Sequence, residues 1–163
     1  MGRWAIEYVV GDATAPMGDD NKIIVHVCND IGGWGRGFVL ALSARWAAPE
    51  RAYDRWFEGR DGNDFALGAV QLVPVESDLW VANLIGQRDI YPAADGTPPV
   101  RYDAIEQGLV RVAGEAVARE ASVHMPRIGS GLAGGRWEEI EPLIERALGA
   151  AGVAVTVYDL PTP

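Results

Sequence analysis

A chain of 163 residues with 48% hydrophobic content can close one sizeable core, and a single domain over 1–163 is expected. The formal charge of −9 argues against a broad basic face for duplex nucleic acid, so any phosphate has to be held locally. One cysteine, Cys28, excludes an internal disulfide, two histidines make a zinc site unexpected, and no signal-like start or bilayer-length apolar run is present, which points to a soluble, cytoplasmic, monomeric protein without metal or cofactor.

Apolar, β-branched runs bounded by turn residues predict six strands, the first at 4–10. Gly11-Asp12-Ala13-Thr14 follows it, and Asp12 is either a helix-cap or turn aspartate or an acceptor for the exocyclic amine of a purine. A second strand at 23–28 leads through Asn29-Asp30 into Gly32-Gly33-Trp34-Gly35-Arg36-Gly37 and short helices near 39–46 and 51–57. Glycines let a backbone approach an anion, Trp34 offers a flat apolar surface, Arg36 a cation, and Asn29 a donor and an acceptor for a ribose hydroxyl. The acidic stretch 58–64 is expected to be a surface loop. Strands at 69–75 and 79–84 come next, and then an apolar helical stripe formed by Ala104, Ile105, Leu109, Val112, Ala113, Ala116 and Val117.

After a strand at 122–126, Gly129-Ser130-Gly131-Leu132-Ala133-Gly134-Gly135 precedes a helix carried by Trp137, Ile140, Leu143, Ile144, Ala147 and Leu148, with Glu138, Glu139 and Glu141 at its start. Strand, glycine loop and helix together form an arrangement for binding phosphate. Residues 129–134 match the dinucleotide fingerprint, but a Rossmann domain opens with that unit and builds further strands, whereas only four residues remain here beyond Asp159. A last strand at 153–158 ends beside Asp159 and Leu160, where Tyr158 or Leu160 would cover a purine. Alternating strands and helices predict an α/β sheet covered on both faces, with ligand outside the carboxyl ends of its strands.

Taken in order, Gly11-Asp12, Ile24-Val25-His26-Val27-Cys28-Asn29, Gly33-Trp34-Gly35-Arg36-Gly37, Asn83-Leu84-Ile85-Gly86-Gln87, Arg101-Tyr102-Asp103, Met125-Pro126-Arg127-Ile128-Gly129-Ser130-Gly131-Leu132 and Val157-Tyr158-Asp159-Leu160 resemble the macrodomain family. More narrowly they resemble its branch containing a human chromatin-remodeller macrodomain, the terminal ADP-ribose glycohydrolase and the yeast ADP-ribose phosphate phosphatase. The resemblance implies a three-layer α/β/α fold around a mixed, mostly parallel sheet of about six strands, with ADP-ribose as ligand or product. It places adenine near Asp12, Ala13, Tyr158 and Leu160, the diphosphate between Gly33–Gly37 and Gly129–Ala133, and the distal ribose near Asn29, Asp30, Gln87 and Arg88.

The lysine nucleophile and the aspartate of the terminal glycohydrolase are replaced by Gln87 and Ala133 at the matching positions, and the acid that other hydrolytic macrodomains carry in the first glycine loop is replaced by Trp34, Gly35 and Arg36. The expected chemistry is therefore hydrolysis by a positioned water, releasing ADP-ribose from a modified protein carboxylate or nucleic acid. Asp30 or Asp89 would act as base or electrostatic stabiliser, with Asn29, Gln87 and Arg88 orienting sugar and acceptor. A non-catalytic ADP-ribose reader and a phosphatase acting on an ADP-ribose phosphate ester are the alternatives. Cys28, alone at a strand end, is expected to be a small buried hydrophobe.

Overall fold

The computed structural model describes residues 3–162. Six strands, β1 (Glu7–Val10), β2 (Asn21–Asn29), β3 (Val70–Glu76), β4 (Leu79–Gln87), β5 (Ala121–Met125) and β6 (Val155–Asp159), form one sheet in the order β1-β6-β5-β2-β4-β3. Every neighbouring pair is parallel except β3 against β4, so β3 is an antiparallel edge and the other five strands point the same way. Pro74 lies on that edge, where a missing ladder donor is tolerated, and the register shifts between Pro74 and Glu76.

Helices α1 (Phe38–Arg45) and α2 (Ala48–Glu58) cover one face, and α3 (Tyr102–Arg119) and α4 (Trp137–Ile144) the other. Because side chains alternate along a strand, β2 feeds both layers: Ile23 and Val25 join Ile105, Leu109, Ile140 and Ile144, whereas Ile24 and Cys28 join Leu42, Tyr53 and Trp56. Each fully buried Ile or Leu contributes on the order of 1.5–3 kcal/mol relative to exposure. The three layers and the mixed sheet agree with the fold expected from the sequence.

Several boundaries differ from the expectation, among them β2, which runs over 21–29, and β6, which starts at Val155. Strand β4 continues through Ile85, Gly86 and Gln87. Gly86 makes room there for close approach, since a Cβ on it would lie 2.8 Å from Ile105 and 2.9 Å from Val27. At the start of the chain, Trp4 and Ile6 leave the ladder and pack on the α3/α4 core, and the Trp4 indole N–H donates to the Val153 carbonyl at 2.7 Å. The helix expected through Leu148 is α-helical to Ile144 and continues over Glu145–Gly149 as a wider π-type turn. Within 58–64, Arg60–Gly62 forms one turn of 3-10 helix.

Candidate functional site

Parallel pairing brings the carboxyl ends of β1, β2, β4, β5 and β6 to one edge, and both glycine loops open there. A Cβ built on Gly37 of the first loop would lie 3.6 Å from Leu132 Cδ1 of the second, so the two loops touch.

The first loop is folded by Asn29, which is 7% exposed. Its Oδ1 accepts from the N–H groups of Ile31 at 3.0 Å and Gly33 at 2.9 Å, and its Nδ2 donates to the Gly33 carbonyl at 2.8 Å. The Tyr53 hydroxyl donates to the Asn29 carbonyl at 2.7 Å and accepts from Gly32 N–H at 3.1 Å, and burial pushes its pKa up. Asn29 thus holds the loop and keeps one amide hydrogen for a ligand. Gly37, with φ of 82°, ends the loop as the N-cap of α1 and supplies no capping side chain. Among the described residues, the N–H groups of Trp34, Gly35, Arg36, Gly37 and Phe38 donate no hydrogen bond within the protein.

In the second loop Gly129 has φ of 71°, and Gly135 N–H donates to the Gly129 carbonyl at 2.8 Å. The Ser130 hydroxyl donates to the Arg127 carbonyl at 2.7 Å, and Val100 N–H donates to the Ala133 carbonyl at 3.0 Å. The N–H groups of Gly129, Gly131, Leu132 and Ala133 have no acceptor among the described residues. Two backbone segments therefore present uncommitted donors at one cleft, the arrangement an oxyanion needs.

Two adjoining cavities fill the cleft. One, of about 260 Å³, is lined by His26, Arg36, Gly37, Phe38, Arg127, Ile128, Gly129, Gly131 and Ala133. The other, of about 370 Å³, is lined by Cys28, Asn29, Gly33, Trp34, Gly35, Ile90 and Tyr91. Val27, Arg36, Val39, Gln87 and Leu132 wall both. Arg36 is exposed and makes no ion pair among the described residues, so its guanidinium is available to an anion. Arg127, by contrast, is fixed: its Nε and Nη2 donate to the two Asp159 carboxylate oxygens at 2.7 and 3.0 Å, and its guanidinium lies 5.1 Å from the Tyr8 ring centroid and 5.2 Å from the Trp137 ring centroid. The hydrogen bonds to Arg127 hold Asp159 below the usual carboxylate range.

Several residues singled out from the sequence sit differently from the expectation. Trp34 is not an exposed platform: it is buried, its indole N–H donates to Ser43 Oγ at 2.8 Å, and its ring meets His26 edge-on at 5.3 Å, so it forms a cavity wall from below. Tyr158 is buried rather than laid over a ring, because its hydroxyl accepts from Met17 N–H at 2.9 Å and bonds His124 Nδ1 at 2.8 Å. Leu160, beside it, is exposed. Asp12 Oδ1 accepts from Thr14 N–H at 2.8 Å and from Thr14 Oγ1 at 2.7 Å, and these bonds lower its pKa; Oδ2 is left for a ligand. Ala13 is buried below it. Asp30 Oδ1 accepts from Asp89 N–H at 2.7 Å, and Gln87 Nε2 donates to the Asp89 carbonyl at 3.0 Å. Asn29 and Gln87 reach the cavity walls, whereas Asp30, Arg88 and Ser130 flank them. Cys28 is buried and its thiol pKa is driven up by desolvation, as befits a small hydrophobe.

His26, Phe38, Arg127, Ile128, Ile90 and Tyr91 line the cleft without having been expected there. The period-2 alternation of β2 was the available signal for His26, which shares a sheet face with Cys28. Among the described residues no three His, Cys, Asp or Glu side chains gather as a metal site, and no helix is long and apolar enough to cross a membrane.

No family model matches the chain. Among curated proteins it is similar to the chromodomain-helicase-DNA-binding protein 1-like of Danio rerio, 35% identical over 94% of this chain, and spans only 15% of that protein's length. It is 26% identical to the ADP-ribose 1″-phosphate phosphatase of Saccharomyces cerevisiae, over 95% of this chain and 98% of that one. Among solved structures, a protein of unknown function from Bacteroides thetaiotaomicron superposes with TM-score 0.94 at 56% identity, covering 98% of this chain and 100% of that one. Thermosipho africanus DarTG in complex with ADP-ribose shares the fold at TM-score 0.70 and 19% identity, over 85% of this chain and 38% of that one. A macrodomain protein from Streptomyces coelicolor superposes with TM-score 0.86 at 57% identity, over 95% of this chain and 99% of that one, and the chain accordingly belongs to the macrodomain family.

Proposed function

We propose that this protein binds ADP-ribose along the shared strand edge and releases it from a modified macromolecule by hydrolysis. The observation that carries the reading is the paired set of uncommitted N–H groups, Gly35 to Phe38 on one loop and Gly131 to Ala133 on the other, with the Arg36 cation between the cavities. A diphosphate carries two anionic groups, one for each set of donors. Adenine then lies toward Asp12, Ala13 and Leu160, with Tyr158 supporting the Met17 loop from beneath, and the distal ribose enters the larger cavity beside Asn29 and Gln87. The solved structure of DarTG in complex with ADP-ribose, and the yeast relative named for an ADP-ribose phosphate ester, support the ligand class.

Cleavage breaks the bond between the anomeric carbon of the distal ribose and the acceptor oxygen or nitrogen. Water oxygen forms the new bond to the anomeric carbon, its proton passes through the carboxylate base to the departing acceptor oxygen or nitrogen, and positive charge builds on the sugar in the transition state. Asp30 is our candidate for base or stabiliser, because one of its oxygens is anchored by Asp89 N–H and the other accepts no hydrogen bond among the described residues; Asp89 is the second candidate. Gln87 and Arg88 orient the sugar and acceptor.

The test is an assay of purified protein for ADP-ribose release from a carboxylate-linked protein conjugate and from ADP-ribosylated DNA, run beside phosphate release from ADP-ribose 1″-phosphate. Release from either conjugate supports the hydrolase, phosphate release alone makes the protein a phosphatase like its yeast relative, and stoichiometric binding without turnover makes it a reader. Asp30→Ala should cut turnover by about 100-fold or more while retaining ADP-ribose affinity; equal turnover removes Asp30 from the mechanism.

A further inference from the structure

The turn after β4 is held more firmly than an exposed loop requires. Asp89 has φ of 65°, in the left-handed region that L residues disfavour. Three hydrogen bonds fix it there: Asp30 Oδ1 accepts from its N–H at 2.7 Å, its carbonyl accepts from Gln87 Nε2 at 3.0 Å, and its own Oδ1 accepts from Ile90 N–H at 2.6 Å. Strained residues persist only where their surroundings over-determine them, and they gather at ligand clamps. What this clamp positions is the pair Ile90 and Tyr91, which reach the wall of the larger cavity although 39% and 67% exposed. Leu132, 60% exposed, faces the same cavity from the second glycine loop.

We propose that Ile90 and Tyr91 are specificity-determining residues that form the acceptor wall of the site and favour a planar, uncharged acceptor group. The proposal rests on the ADP-ribose reading. A cavity of about 370 Å³ is in the range that takes whole drug-sized ligands, so a ribose in it leaves room for the group bonded to its anomeric carbon. That group leaves the cavity past an isoleucine, a leucine and an aromatic ring. Arg36 is the one charged side chain in the lining, and the diphosphate already requires it, so the charges left near the acceptor, Arg88 and Asp30, flank the cavity and the wall the acceptor passes is uncharged. A flat group instead stacks on the Tyr91 face.

The test uses three probes in calorimetry: ADP-ribose itself, and its 1″-C-methyl and 1″-C-benzyl glycosides, whose anomeric C–C bond the proposed hydrolysis does not break. The wild-type protein should bind the benzyl glycoside about five-fold or more tightly than the methyl glycoside, the factor an aromatic pair supplies. Tyr91→Phe should keep that preference and Tyr91→Ala should reduce it to within two-fold; with Tyr91 mostly exposed, neither change threatens the fold. Equal affinity for the two glycosides in the wild type, or a preference that survives in Tyr91→Ala, overturns the proposal. Failure of the wild type to bind ADP-ribose would instead overturn the reading beneath it, and hydrolytic turnover does not enter either result.

Discussion

At Gly131 a side chain would meet no atom within 4 Å, and the backbone needs no positive φ there. Gly131→Glu therefore leaves the fold standing while placing bulk and negative charge among the N–H groups that await the anion. We expect ADP-ribose affinity to fall by about 100-fold or more, with the melting temperature within a few degrees of wild type; calorimetry showing unchanged affinity would move the diphosphate elsewhere. Arg36→Ala removes the free cation between the cavities and should weaken ADP-ribose by about 10-fold, the scale of one charge-assisted hydrogen bond. The deficit should shrink in the wild-type comparison as salt is raised, since the site is open to screening. Gly135 behaves in the opposite way to Gly131: a Cβ there would lie 2.3 Å from the Gly129 carbonyl oxygen, so this glycine is fixed by the loop's own closure.

The positions of the elements were largely legible because burial wrote its period into them. The α3 stripe faces the sheet as expected except at Val117, which ends the stripe exposed, and Gly108 in the same helix lets it press on β4, since a Cβ at that position would meet Leu84 Cγ at 2.4 Å. Gly108→Ala should cost about 1–3 kcal/mol by overpacking, read as a lower urea midpoint with an unchanged slope. What the sequence did not disclose was which way the aromatic side chains of the site turn. Trp34 follows two loop glycines and looks solvent-facing, but α1 and α2 bring Ser43 and Tyr53 to it, and those partners are 9 and 19 residues away. Tyr158 likewise ends a strand near the cleft, yet its hydroxyl is claimed by Met17 and by His124 of β5. The glycine loops were legible because a glycine run between a strand and a helix leaves backbone N–H groups uncommitted, as both loops do here among the described residues. Gly86 concealed the last residues of β4, since a glycine ends a strand as often as it allows a close approach.

On the scale of the molecule, two buried histidines make stability depend on pH. Asn83 Nδ2 donates to the Pro49 carbonyl and to Gln71 Oε1, which turns Asn83 Oδ1 toward His26 and makes His26 Nε2 the donor. Burial lowers His26 from 6.5 to about 4, and does the same to His124. The unfolded chain therefore takes up protons at both sites below pH 6.5 while the folded protein resists until about pH 4. Stability from these groups is complete above pH 6.5 and is lost as the pH falls through that window, at up to roughly 1.4 kcal/mol per pH unit for each histidine. Urea midpoints at neutral and mildly acidic pH should show this decline, and His124→Gln should remove about half of it. A flat profile would mean that the histidines are solvated.

Because β1 and β6 lie side by side and run the same way, the two ends of the described chain depart in opposite directions. The start of β1 lies at the far rim of the sheet, whereas the end of β6 lies at the edge where both glycine loops open, next to Leu160. A purification handle or a fused neighbour placed after β6 is thus on the same side of the sheet as the two glycine loops, and one placed before β1 is on the other.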